Sequence, residues 1–387
     1  MDPTVVTIYS CGTAFHRDRI DFSVPFTWRA TKGDRVWIND GPGNTTHHIL
    51  KAEKILKKVE SSGPQAPSSD QNLGQKIGNA IPNALTNRAM STHNTWSGKQ
   101  LTGVGTQDNI IVTLQWLWME YHRTDKPKFR TINLVGWSRG AVTCIMLAHA
   151  IEAAGFRGLL PNLKVNIFAF DPVPGGLNDF QNNGDFQKTG RAGTVHTLSP
   201  CVNEYHAILA ENVGGAKGLV FKCVSPNFSN GGGTKIETPM PGGHSTVANH
   251  DQNNPVGKIG IALCHEFLTK HGTELHVHKK LSEQQMIDLY ADALLEHGEF
   301  KKKGWINRKK VFEKSTAAKV RAPLVRNDLR THDFFINQHH ADLFAKHLPT
   351  VFTKMATDTP LDQADQNKLL SSFGRTWDAL RTTGYIQ

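Results

Sequence analysis

The segment Gly136-Trp137-Ser138-Arg139-Gly140 sets a serine between two glycines in the spacing Gly-x-Ser-x-Gly. An apolar run precedes it and a run of small, helix-forming residues follows. In a strand, sharp turn, helix context the serine hydroxyl stands exposed above a sheet, and Gly136 and Gly140 supply the clearance that the turn demands. A serine hydroxyl attacks a carbonyl only when a histidine removes its proton, and that histidine needs a carboxylate to hold its tautomer and balance the imidazolium. Asp171 directly follows the apolar run at residues 165–170, which would place its carboxylate at the same sheet edge as Ser138. Asp179 and Asp251 are its rivals. With 19 histidines in the chain, position must select the base. His244 lies in Met240-Pro241-Gly242-Gly243-His244-Ser245, a turn that can project a side chain without strand constraints, and it follows the acid in chain order. His206 is the alternative base, while His196, His250 and His265 read as structural. A tetrahedral oxyanion needs donors as well: the Arg139 backbone amide is the first, and Gly12 and Thr13, after the first apolar run, are the natural second source.

These residues need elements to carry them. Residues 4–9 form a β-branched run that reads as a buried strand entering the loop Ser10-Cys11-Gly12-Thr13, and residues 35–38 read as a second strand. Apolar residues at Ile110, Ile111, Leu114, Leu117, Trp118 and Tyr121 recur with helical period. Residues 131–135 are expected as a strand, 139–154 as a helix and 164–170 as a strand, a βαβ unit with parallel strands. The expected class is α/β, a mostly parallel sheet with helices on both faces. A catalytic domain over 1–270 would include loop or lid excursions at 61–105 and 177–243, the latter holding a strand near 218–224. Residues 271–387 would form a helical, basic C-terminal region. Helices are expected over 259–271, 282–297, 333–348 and 365–383.

Composition narrows the classes. Of 387 residues, 38% are apolar and 20% charged, with 34 Gly and 18 Pro, which excludes low-complexity, collagen-like and coiled-coil chains. The longest nearly uncharged apolar stretch, residues 140–151, is too short to span a bilayer. The N-terminus lacks the pattern of a secretory signal, so the expected place of synthesis is a reducing cytoplasm, where the five scattered cysteines would be core residues. The net charge is +10, and residues 300–326 alone hold ten basic side chains against Glu313. Lys301, Lys302, Lys303, Arg308, Lys309 and Lys310, beside Trp305, suit an anionic lipid surface or remain a solvated face. The chain shows no nucleic-acid module and no phosphate loop; its Asn/Asp-rich stretch at 177–185 lacks the acid spacing of a calcium loop. Neither a metal nor another cofactor is expected.

Taken in order, Ser10-Cys11-Gly12-Thr13, Asn39-Asp40-Gly41-Pro42-Gly43-Asn44, Gly103-Val104-Gly105-Thr106 and Gly136-Trp137-Ser138-Arg139-Gly140-Ala141 resemble the α/β-hydrolase catalytic domain of bacterial type VI secretion lipase effectors. The resemblance covers roughly residues 5–249 and is strongest over 103–175. In that family the elbow usually reads Gly-Phe-Ser-Arg-Gly-Ala; here Trp137 stands in place of the phenylalanine and Pro172 in place of a threonine after the acid. Thr246-Val247-Ala248 stands where the family has Asp-Val-Gly-Gly-Gly. The resemblance implies an α/β-hydrolase-like fold and a phospholipase or related ester hydrolase using Ser138, Asp171 and His244. It also implies delivery into a rival cell, a secretion-apparatus spike or adaptor protein, and a cognate immunity protein. Two further readings stay open: a thioesterase or peptidase on the same fold, and a binder of anionic polymers or membranes with a vestigial elbow.

Overall fold

The structure, a computed structural model, describes residues 2, 4–42, 106–174, 195–211, 223–228, 232–251, 253–297, 335–357 and 359–382. The excursion expected at 61–105, Asp179, and the basic side chains of Lys301, Lys302, Lys303, Arg308, Lys309 and Lys310 lie outside the described residues.

The chain begins with β1 (Val5–Ser10), α1 (Ser23–Ala30) and β2 (Val36–Asn39), followed by α2 (Thr106–His122), β3 (Thr131–Trp137), α3 (Arg139–Ala153), the short α4 (Phe156–Leu159) and β4 (Lys164–Phe170). Next come β5 (Thr197–Leu198), β6 (Val202–Ala210), β7 (Asn227–Phe228), β8 (Thr234–Met240), α5 (Pro255–Lys270) and α6 (Glu283–His297). The last described helices are α7 (Gln338–His347), α8 (Pro349–Ala356), α9 (Gln363–Ser372) and α10 (Gly374–Thr382). Six strands form one sheet in the order β2-β1-β3-β4-β6-β8, and every neighbouring pair is parallel. A parallel sheet gathers all its strand carboxyl ends at one edge, so loops that follow different strands meet there.

Both sheet faces are covered, which is why the central strands read as continuous apolar runs rather than alternating ones. Ile8, Ile132, Leu134 and Ile167 pack against Trp116 and Leu117 of α2 and Ile145 of α3. Tyr9, Val135, Phe168 and Ile208 point the other way, onto Ile259, Leu263 and Phe267 of α5. Tyr290 of α6, Phe344 of α7, Val351 of α8, Leu369 of α9 and Leu380 of α10 join that second cluster, so the C-terminal helices share the core behind the sheet. All five cysteines are buried and unbridged. Among the described residues no helix is long and apolar enough to cross a membrane.

Two strands differ from the expected layout. Residues 202–210 and 234–240, expected within a lid, are β6 and β8 and extend the central sheet. Their polar residues, Asn203, Glu204 and His206 in one and Lys235 and Glu237 in the other, break the apolar run by which a buried strand is recognised. Of the strand expected near 218–224, the described residues 223 and 224 are not in a strand.

One side-chain ladder locks the register. Asn166 donates to Asn133 (2.9 Å), Asn203 donates to Asn166 (3.0 Å), and Asn133 donates to Thr273 (2.8 Å), whose hydroxyl also meets that of Thr7 (2.8 Å). Thr7, Asn133 and Asn166 are register partners across β1, β3 and β4. A one-residue slip would strand these buried amides without partners, so the ladder fixes which residues end each strand.

Candidate active site

The register determines what stands at the carboxyl edge. Ser10 pairs with Gly136 and Trp137 with Phe170, so Gly12, Ser138 and Asp171 all fall just past the ends of adjacent strands. Ser138 sits between β3 and α3 at φ 58° and ψ −127°, and its amide donates to Phe170 O at 2.9 Å. That left-handed conformation costs about 1–3 kcal/mol and persists only because the packing around it over-determines it. A Cβ at Gly136 would lie 2.5 Å from the Gly140 carbonyl, and one at Gly140 would collide with the Ser10 carbonyl, so strand and helix approach too closely for side chains. Asp171 is also left-handed, at φ 42°, with its amide bonded to Ile208 O at 2.7 Å.

Three side chains form one line. His244 Nε2 lies 2.8 Å from Ser138 Oγ, and His244 Nδ1 lies 2.5 Å from Asp171 Oδ2. A carboxylate only accepts, so Nδ1 carries the proton and donates to Asp171 while Nε2 accepts from the serine hydroxyl. Asp171 is fully buried, and its second oxygen accepts the Ala210 amide at 3.0 Å. That bond ties the carboxylate to the end of β6. The His244 side chain keeps 12% exposure.

The turn holding His244 is pinned from three sides. Gly242 takes φ 98°, Thr246 Oγ1 accepts the Gly243 amide (3.2 Å), and Asn254 donates to Thr246 O (2.6 Å). Asn254 is in turn the N-cap of α5, accepting the Gly257 amide at 3.1 Å, with Pro255 at the first helical position. Trp137 secures the turn from below. Its Nε1–H donates to His244 O at 3.3 Å, and its ring stacks on the imidazole with centroids 5.5 Å apart. Phe22 stacks on the same indole at 4.7 Å and Phe15 meets it edge-on at 4.5 Å.

The residues expected to supply oxyanion donors stand at the start of α3 and in the loop after β1. The Arg139 amide opens α3 and has no intrahelical acceptor. Gly12 and Thr13 lie in the loop after β1, where Phe15 N bonds to Gly12 O and Ala14 N to Pro42 O. Among the described residues the Gly12 and Thr13 amides have no acceptor, so they are available to a ligand. A Cβ at Gly12 would stand 2.5 Å from the Trp137 ring, which explains glycine there. Arg17 anchors the loop's far end by donating its amide (2.9 Å) and its guanidinium (2.8 Å) to the buried Asp40.

The other candidate residues are placed elsewhere. His206 is half-buried on β6 with its Nε2 3.0 Å from Thr238 Oγ1, against the rings of Phe168 and Phe267. Desolvation pushes its pKa down to about 3, so at neutral pH it is uncharged; the structure brings His244, not His206, to the serine. His265 bonds Thr27 (3.1 Å) and accepts the Lys279 amide (2.9 Å), and burial likewise lowers it to about 3. His250 binds Asp21 O, and His196 and Asp251 are exposed.

Sequence reasoning named the three side chains that the structure brings into line but not their supports. Trp137 stood inside the quoted motif without a role, and the Asn254-Pro255 pair, a helix-start signal, marks the residue that pins the histidine turn. Nothing local marks Ala210 as the donor to Asp171.

No family model matches the chain, and no curated protein matches it. The chain is similar to a solved structure of an uncharacterized protein from Pseudomonas aeruginosa, with a TM-score of 0.40 and 12% identity over 98% of this chain. The match spans 62% of that protein's length.

Proposed function

We propose that the chain is an α/β-hydrolase-like serine ester hydrolase acting on lipids, of phospholipase type. The observation that carries this reading is the unbroken hydrogen-bonded line from Ser138 through His244 to Asp171, held at a strained elbow beside uncommitted backbone amides. Ser138 Oγ attacks the ester carbonyl carbon while its proton passes to His244 Nε2, and Asp171 stabilises the imidazolium. The oxyanion meets the amides of Arg139 and of Gly12 or Thr13. As the tetrahedral species collapses, the alcohol leaves with the proton from Nε2. Water then gives its proton to the same nitrogen and attacks the acyl-serine, releasing the fatty acid and restoring the hydroxyl.

The lipid substrate rests on the resemblance to type VI secretion lipase effectors and on the basic segment with Lys301, Lys302, Lys303, Arg308, Lys309 and Lys310, which would hold the enzyme on anionic membrane. The same resemblance supports an immunity protein and a spike or adaptor as partners, with delivery into a target cell. A fluorophosphonate probe should label Ser138, and fatty acid release from phosphatidylglycerol vesicles should fall by about 10⁴-fold or more in Ser138→Ala. Labelling without lipid hydrolysis would move the substrate to a thioester or peptide. A chain with neither labelling nor hydrolysis would be a binding protein.

A further inference from the structure

The central sheet ends at β8, and among the described residues no strand pairs with its outer edge. Successive residues of a strand turn their backbone N–H and C=O groups to opposite sides, and two bonds show which residues of β8 turn which way. Met240 O accepts the Glu211 amide at 2.8 Å, on the β6 side, so the even-numbered residues of β8 are committed to the sheet. Pro239, which has no N–H to offer, turns its carbonyl outward to the Asn337 side chain at 3.0 Å. The outward backbone groups that remain are those of Lys235 and Glu237. Their side chains share one face, where Lys235 Nζ lies 3.1 Å from Glu237 Oε1 and both meet the Ser225 hydroxyl. Ile236 projects from the other face and is 37% exposed. Open edges are blunted by charge or proline because they template pairing with another chain. Here Pro239 and Asn337 close only the last part of the strand.

We propose that this edge receives a second copy of the chain, β8 pairing antiparallel with β8 about a twofold axis through Ile236. Symmetry restricts the registers: facing residues of an antiparallel pair share a face, so the axis between two identical strands must pass through a residue. The registers on either side fail. An axis at Lys235 sets lysine against lysine and carries Glu237 onto Gly233, whose φ of 101° is not extended. An axis at Glu237 sets glutamate against glutamate and Lys235 against Pro239, whose carbonyl Asn337 already holds. With the axis at Ile236, Lys235 faces Glu237 of the second copy on both sides, and their outward amides and carbonyls exchange bonds. The two Ile236 side chains then meet on the axis as a non-hydrogen-bonded pair, where facing side chains approach most closely. In this register β8 is complementary to itself in charge, in backbone groups and in apolar contact. One continuous sheet would hold six strands from each copy, with the two carboxyl edges facing opposite ways. The contact does not depend on the reading of Ser138 as a nucleophile.

Sedimentation of the full chain at about 50 μM should give a mass twice that of one chain, and a monomer at that concentration overturns the proposal. Ile236→Lys puts two like charges on the axis at an exposed position. It should raise the dimer's Kd about a hundredfold or more while keeping the circular dichroism of wild type, with Ile236→Thr weakening the dimer less. A dimer that Ile236→Lys leaves intact uses another surface and overturns the proposal. The register has its own test. Lys235→Glu faces acid with acid and Glu237→Lys faces base with base, so each protein alone should associate more weakly than wild type. Mixed together, the two should form a heterodimer within about tenfold of the wild-type affinity, because every facing pair is then opposite in charge. A mixture that stays monomeric, with both proteins folded by circular dichroism, overturns the pairing of Lys235 with Glu237.

Discussion

Histidines occupy two regions of this molecule under opposite physical regimes. At the carboxyl edge, His244 sits in a turn with one ring nitrogen donating to a carboxylate and the other accepting from a hydroxyl, and it keeps a window to the outside. Behind the sheet, His265 and His340 are enclosed by the apolar core that α5 to α10 share with the strands and His206 is half-buried against Phe168 and Phe267, and desolvation drives each to a pKa of about 3. His340 lies flat on the Tyr290 ring at 4.6 Å. A histidine becomes a general base through two opposed partners and access. Its distance along the chain from a serine does not decide this, and burial in a core works against it.

The sharpest way to break this comparison is to exchange the roles genetically. His244→Ala should lower ester turnover by about 10⁴-fold, and Asp171→Asn by about 10³-fold or more because the amide leaves the imidazole in the wrong tautomer. His206→Ala, in protein shown folded by circular dichroism, should stay within about tenfold of wild type. A larger loss for His206→Ala than for His244→Ala would invert the two regions.

Stability should titrate in the second region. A histidine whose folded pKa is depressed stays neutral in the native state while the unfolded chain, with a pKa near 6.5, takes up protons. The unfolded state then binds more protons, so stability is lost as pH falls from about 6.5 toward about 3. Each such histidine contributes about 1.4 kcal/mol per pH unit to that slope. Urea unfolding at pH 7 and pH 5 should show the loss, and His340→Phe, which retains a ring on Tyr290, should reduce the slope by about one histidine's share. A slope unchanged in that variant would mean that His340 titrates normally.

The smallest effect sharpens the first region. Trp137→Phe keeps a ring against the imidazole but deletes the donor to His244 O, and about 1 kcal/mol for such a bond corresponds to roughly a fivefold loss of turnover on a soluble ester. Trp137→Leu, which also removes the stacked face, should lose more. Equal turnover in wild type and Trp137→Phe would assign the positioning to stacking alone.

Much of the edge was legible from residue types in order. The elbow could be read because its glycines answer a local steric demand, and Asp171 because it directly follows a recognisable apolar strand. The helix α2 was legible from its apolar periodicity and α3 from its run of small residues closed by Gly155. β6 and β8 were not, because their polar residues interrupt the pattern while neighbouring strands and the asparagine ladder accommodate them.

The sequence by itself determined the elbow serine, the strand-helix order of the α/β class and a short list of its Asp and His neighbours. Those features depend on local sterics and on periodicity, which neighbouring residues settle among themselves. Tertiary structure alone decided that Ala210 holds Asp171, that Trp137 and Asn254 hold the His244 turn, and that His206 bonds Thr238 away from the serine. Those outcomes depend on strand register and on desolvation, and both are properties of chain segments that meet only after the sheet has formed.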